Sequence, residues 1–210
     1  PMRLTVEDNT VHERIGPIDT PLSMEVTNFL LDHPDLASWL VRKLKIAPYV
    51  IEMRGPRLSW ANDGDGTTGF IELVDVQEGK RAYYTEGTHA AKMVPNISAS
   101  AVVLMELAPV QKPGCGPHVV SSFDVYVKMR NLFVSAMVRM LKPFIKGVII
   151  RKFSRAFSVA HQVGVLLATK PEETKRTILS YPGLSAKDRA AAEKLLDSIK
   201  PEARECLGAS

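Results

Sequence analysis

The sequence predicts an α+β fold: a curved antiparallel sheet of about six strands wrapped round one long, kinked C-terminal helix, with a small helical tail. Three observations carry that expectation. Between Tyr49 and Met129 apolar residues recur at every second position, the rhythm of strands with one buried face. From Asn131 to Thr169 the spacing becomes helical and turn signals are few. After Pro171 the chain turns polar, breaks at Tyr181-Pro182-Gly183, and continues rich in Ala, Lys and Glu to about Ile199. The expected organisation is therefore one domain over residues 1–170 and a helical appendage over residues 171–210.

The opening residues to Thr20 are polar, with weak strand character at Leu4–Val6. Asp19-Thr20-Pro21 is a capping signal, and Met24, Phe29 and Leu30 suggest a short helix. Asp32-His33-Pro34-Asp35 restarts the chain into a second helix, with Leu36, Trp39, Leu40 and Leu44 at helical spacing. Strands follow. Tyr49, Ile51 and Met53 alternate with Glu52 and Arg54; Leu58 and Trp60 alternate with Arg57 and Ser59. Residues 69–76 and 80–88 are separated by Gln77-Glu78-Gly79, a tight-turn signal. Val103, Met105 and Leu107 form the next apolar face. After the Pro/Gly loop 109–117 come Phe123, Val125, Val127 and Met129. In the long helix the apolar stripe before Pro143 is Met137, Met140, Leu141 and Phe144; after Gly147 it is Phe153, Ala156, Ala160, Val163 and Leu167. The stripe rotates between the two halves, and proline removes a helix donor, so a kink or break is expected near Pro143–Gly147.

Composition narrows the function. At 210 residues, with 45% apolar and 24% charged residues, the chain has the mixture of a globular domain. Cys115 and Cys206 offer no metal-ligand spacing and no disulfide framework, so lone thiols are expected. Pro1 precedes Met2, and no basic segment leads into an apolar stretch; a cytoplasmic protein, peripheral to membrane at most, is expected. The net charge of +4 conceals an asymmetry. From Val125 to Pro171 there is no Asp or Glu, while Lys128, Arg130, Arg139, Lys142, Lys146, Arg151, Lys152, Arg155 and Lys170 are all present. That segment concentrates positive potential.

Short helices, an antiparallel sheet and then one long helix follow the order of the helix-grip fold. Through the strands at residues 49–54 to 119–129 and the helix at 132–169, about two thirds of the chain, the sequence resembles the START-related superfamily of lipid-transfer domains, ligand carriers and polyketide cyclases. The resemblance is one of pattern. It implies an apolar molecule held between sheet and helix.

Gly64-Asp65-Gly66-Thr67-Thr68-Gly69 matches G-x-G-x-x-G, but strand-like Phe70-Ile71-Glu72-Leu73-Val74 follows where a helix would be needed. A hairpin turn is expected instead. Asp63, Asp65, Gly66 and Glu72 also mimic an EF-hand loop, yet Ala61 stands at its first ligand position. No metal and no cofactor are expected. His12, His33, His89, His118 and His161 show no ligand pairing, and Cys115-Gly116-Pro117-His118 has no evident orienting acid. No catalytic residue is assigned.

The expected ligand-binding residues are Tyr49, Met53, Trp60, Tyr84, Met105, Phe123, Val127, Phe153 and Phe157, with Tyr84 offering a hydroxyl to a polar head. Lys142, Lys146, Arg151, Lys152 and Arg155, interleaved with large apolar residues, are expected to meet an anionic head or membrane surface. Nucleic acid is not an expected partner, since no recognition module is present. The leading expectation is a non-catalytic carrier or sensor of a hydrophobic, lipid-like molecule. The alternatives are a cyclase or hydratase-type enzyme using the same cavity through His89, Tyr84 or His161, and an interaction module docking through the basic helix.

Overall fold

A computed structural model describes residues 2–91, 94–130, 138–199 and 206; within them, the side chains of residues 91, 94, 95 and 138–145 are not described. The order is α1 (Met2–Glu7), β1 (Val11–Thr20), α2 (Met24–Asp32), α3 (Pro34–Lys43), β2 (Val50–Met53), β3 (Leu58–Asn62), β4 (Thr67–Gln77), β5 (Lys80–Ala91), β6 (Val94–Gln111), β7 (Pro117–Met129), α4 (Val138–Thr169), α5 (Pro171–Leu179) and α6 (Ala186–Asp197). The protein is α+β. Its seven-stranded antiparallel sheet runs β1-β7-β6-β5-β4-β3-β2.

Four expectations are corrected. The sheet has seven strands, because polar residues 11–20 form β1. Its burial follows neighbouring strands more than its own composition, with Val11 and Thr20 buried at the two ends. Leu4–Val6 belongs to helix α1. Of the kink or break expected near Pro143–Gly147, the break does not occur: α4 is one helix of 32 residues that includes both. Finally, Cys115 and Cys206 are not lone thiols but form a disulfide, their Cα atoms 5.4 Å apart; spacing 91 residues apart in sequence gave no hint of it.

The chain divides into two compact units. One comprises residues 1–17, 50–106 and 122–155; the other, residues 18–49, 107–121 and 156–210. That division does not follow residue 170. In the second unit α5 and α6 share a core with α2, α3 and the end of α4, built on Val26, Leu36, Leu40, Val163, Leu167, Ile178, Ala192 and Leu196. Local signals start its helices: the Ser23 and Ser185 side chains accept hydrogen bonds from the Val26 and Asp188 amides, and Pro34 and Pro171 open α3 and α5. The Tyr181 hydroxyl donates to Asp35 Oδ2 at 2.8 Å, tying the turn after α5 to α3. His118, buried, meets Asp19 Oδ1 through Nδ1 at 2.8 Å, and Lys112 pairs with the same carboxylate.

In the first unit, Gly69 and Gly87 are directly paired across β4 and β5. A Cβ on Gly69 would lie 2.4 Å from the Glu86 carbonyl oxygen and 2.7 Å from Gly87 Cα, so the two strands approach too closely for any side chain there. The hairpin expected at Gly64–Gly69 is present between β3 and β4. Gly64 and Gly66 take φ of 69° and 84°, conformations that glycine adopts without a Cβ clash.

A candidate ligand cavity

Cross-strand pairing settles which side chains share a face. Met53, Ser59, Ile71, Thr85 and Ala101 form one row across β2 to β6. Trp60, Phe70, Glu86 and Ser100 form a row on the other face. On the face of Thr85 and Ala101, the sheet and the first half of α4 frame a cavity of about 310 Å³ that is half-open to solvent. Ile97, Ala99, Ala101 and Val103 of β6 and Val125, Val127 and Met129 of β7 form its carbon wall; Val148, Ile149 and Phe153 of α4 face them. The Phe123 and Phe153 rings meet edge-on, 5.9 Å apart, which fixes the helix on the strands beside it.

One corner is polar. Thr67, His89 and Lys152 all line the cavity, and Thr67 Oγ1 lies 3.0 Å from His89 Nδ1. The Lys152 ammonium donates to Asp63 Oδ2 at 2.5 Å, to Asp65 Oδ2 at 2.8 Å and to the Asp65 carbonyl at 3.0 Å. Asp63 Oδ1 accepts from the Asp65 and Thr67 amides at 2.7 and 3.0 Å. Helix α4 is thereby latched onto the β3–β4 turn. Burial pushes the Asp63 carboxyl up, but the ammonium and the two amides outweigh it and hold it below its usual value. Asp65 is also held down, chiefly by Lys152, while burial lowers the Lys152 ammonium less than its two carboxylates raise it. The carboxylates that resembled a calcium loop are thus engaged by a lysine. Among the described residues, no group of three or more His, Cys, Asp or Glu side chains could hold a metal ion.

No family model matches the sequence, and no curated protein matches it. Among solved structures, a conserved protein from Geobacillus kaustophilus is similar over 72% of this chain and 94% of its own, at 14% identity and a TM-score of 0.46.

Of the residues expected at a ligand site, Val127 and Phe153 line the cavity. Met53, Met105 and Phe123 lie on the same face beyond its lining. Trp60 and Tyr84 are on the opposite face, where the Tyr84 hydroxyl donates to Glu86 at 2.5 Å and Arg130 holds the same carboxylate. Burial, then Glu86, raises the Tyr84 phenol. Tyr49 packs against the helical core of the other unit, and Phe157 lies in that unit, half-buried.

The cations also divide. Lys146, Arg151 and Arg155 are exposed, and Lys146 pairs with Glu13 at 2.9 Å. Lys152 turns to the cavity and its carboxylates. The side chain of Lys142 lies outside the described residues. No helix among the described residues is long and apolar enough to cross a membrane.

Sequence reasoning named His89 but missed its partner Thr67, the small wall residues Gly87, Ala99 and Ala101, and the buried Arg81 in the Met105 row. A usable signal existed: in Ile97-Ser98-Ala99-Ser100-Ala101-Val102-Val103 the odd positions share a face, and their small side chains leave space there.

Proposed function

We propose that the protein binds and carries a small hydrophobic molecule between its sheet and helix α4. The observation that carries this reading is the cavity itself: about 310 Å³, carbon-walled, with polar groups gathered at one corner. Pockets of roughly 300–1,000 Å³ with mostly apolar walls and a few placed polar groups are the usual form of small-molecule sites. Element order supports a helix-grip, START-like reading: two helices between β1 and β2, β1 beside β7, and a long helix after the last strand. Phe153 and Val127 would touch the ligand's apolar part. The exposed Lys146, Arg151 and Arg155, with Ile150 among them, support contact with an anionic membrane surface during loading. The Cys115–Cys206 bond supports an oxidising compartment against the cytoplasmic expectation.

Native mass spectrometry of gently purified protein tests the reading. A co-purifying mass, released by organic solvent and lost in an Ala101→Leu variant, is expected. Protein that carries no ligand, and takes up none from a hydrophobic metabolite extract, would end the carrier hypothesis.

One observation favours a second reading, an enzyme of the cyclase or hydratase type: His89 lines the cavity with Nδ1 against the Thr67 hydroxyl. An imidazole held through one nitrogen can pass a proton at the other. His89→Gln separates the two. A carrier keeps its ligand, whereas an enzyme binds and no longer converts it.

A further inference from the structure

We infer that the cavity selects a small single-chain or ring amphiphile with an uncharged hydrogen-bonding head, and discriminates against carboxylates and phosphates. This rests on the carrier reading and narrows it.

Size is the first constraint. At about 30 Å³ for each water-sized group, 310 Å³ encloses about ten such groups. A two-chain lipid far exceeds that. An eight-carbon alcohol or a substituted ring matches it.

Charge is the second. Among the described residues the cation lining the cavity is Lys152; it was expected to receive an acidic head, yet its ammonium already donates to two carboxylates and a carbonyl. Lys152, Asp63 and Asp65 together carry one net negative charge. Arg155, on the exposed side of α4, acts electrostatically on Asp65 and brings the corner to neutrality at most. An anionic head would therefore lose its hydration and meet a Lys152 ammonium already engaged by two carboxylates. A hydroxyl or carbonyl loses far less on entry. It finds the Thr67 hydroxyl and the His89 imidazole, which between them donate and accept. Thr85, on the cavity face of β5, adds another hydroxyl to the wall.

Two probes of equal chain length test the inference: octan-1-ol and octanoate, titrated at pH 8 into isotopically labelled protein. The backbone amide signals of Thr85, Gly87, Ala99 and Ala101 are followed. Octan-1-ol should bind at least tenfold more tightly than octanoate. In Asp65→Asn, which removes one negative charge from the corner, that gap should narrow at least threefold by a gain in octanoate affinity. Octanoate binding as tightly as the alcohol, or a gap unchanged in Asp65→Asn, overturns the head-group inference and leaves the carrier reading standing. If neither probe moves those signals, the carrier reading fails and takes the inference with it.

Discussion

Replacing Lys152 with Met removes the charge that joins α4 to the β3–β4 turn and keeps an apolar stem of similar length. The magnitude follows from exposure. The Lys152 and Asp63 side chains are each 21% exposed, between a surface pair, worth about 0–1 kcal/mol, and a fully buried one, whose breakage costs about 3–5 kcal/mol. Asp63 keeps the amides of Asp65 and Thr67, so its carboxylate is not stripped of partners. Asp65 returns to water and adds nothing to the figure. A loss of about 2 kcal/mol at pH 7 is expected, which at about 2 kcal/mol/M in urea moves the unfolding midpoint down by about 1 M. The pH profile identifies the cause. Because folding lowers the Asp63 carboxyl from its usual 3.8, the pair's contribution is complete above that value and lost as pH falls through the folded value. Lys152 is raised above its usual 10.5, so on the alkaline side the contribution persists until pH rises past its folded value. Native and Lys152→Met proteins should therefore differ most between about pH 5 and pH 10 and converge in acid. A midpoint shift below about 0.2 M at pH 7, or one undiminished in acid, would refute the latch.

Three other outcomes follow from the structure. Reducing the Cys115–Cys206 bond, which closes a loop of 91 residues, should cost up to about 4.6 kcal/mol on the chain-entropy scale; thiol titration of the unfolded, unreduced protein that finds two free thiols would contradict it. Gly69→Ala should destabilise by about 2 kcal/mol or more, since its Cβ would meet backbone at 2.4 Å; an unchanged melting temperature would show that β4 and β5 are not so closely apposed. Burial and then Asp35 push the Tyr181 phenol up to about 12, so ultraviolet titration should show a tyrosine step near that pH that is lost in Tyr181→Phe. Stability from that bond is present below the ordinary phenol value near 10 and falls as pH rises toward 12.

The sheet was legible where side chains alternate cleanly. Phe123, Val125, Val127 and Met129 on β7 and Tyr49 to Met53 near β2 announced themselves by period alone. β1 did not, because Glu13, Arg14 and Gly16-Pro17 belong to a strand formed by pairing with β7 rather than by its own propensity. The cavity was legible only in part. Ligand candidates were chosen for bulk and polarizability, and bulk fills space; the residues that make the cavity are those too small to fill it. Tyr84 lies on the face opposite the cavity, and one residue of slip exchanges the two faces of a strand. Lys152 was expected to meet an anionic head or membrane surface, but its carboxylate partners lie 87 and 89 residues away in sequence, beyond the reach of any local pattern.

A void of this size invites the question whether it is merely imperfect packing. The cavity is half-open to solvent, and its carbon walls offer water few partners. Filling it distinguishes a site from a flaw. Ala101 faces Thr85 across the strand pair on the cavity side, so Ala101→Leu should bury about three further methylene-sized groups, worth about 2 kcal/mol less any strain. The thermal midpoint should rise or hold while ligand uptake disappears. A variant that is stabilised and still takes up its ligand at full affinity would place the binding site elsewhere. Lost uptake at retained stability would mean that the small residues of β6 are kept small for the molecule they admit.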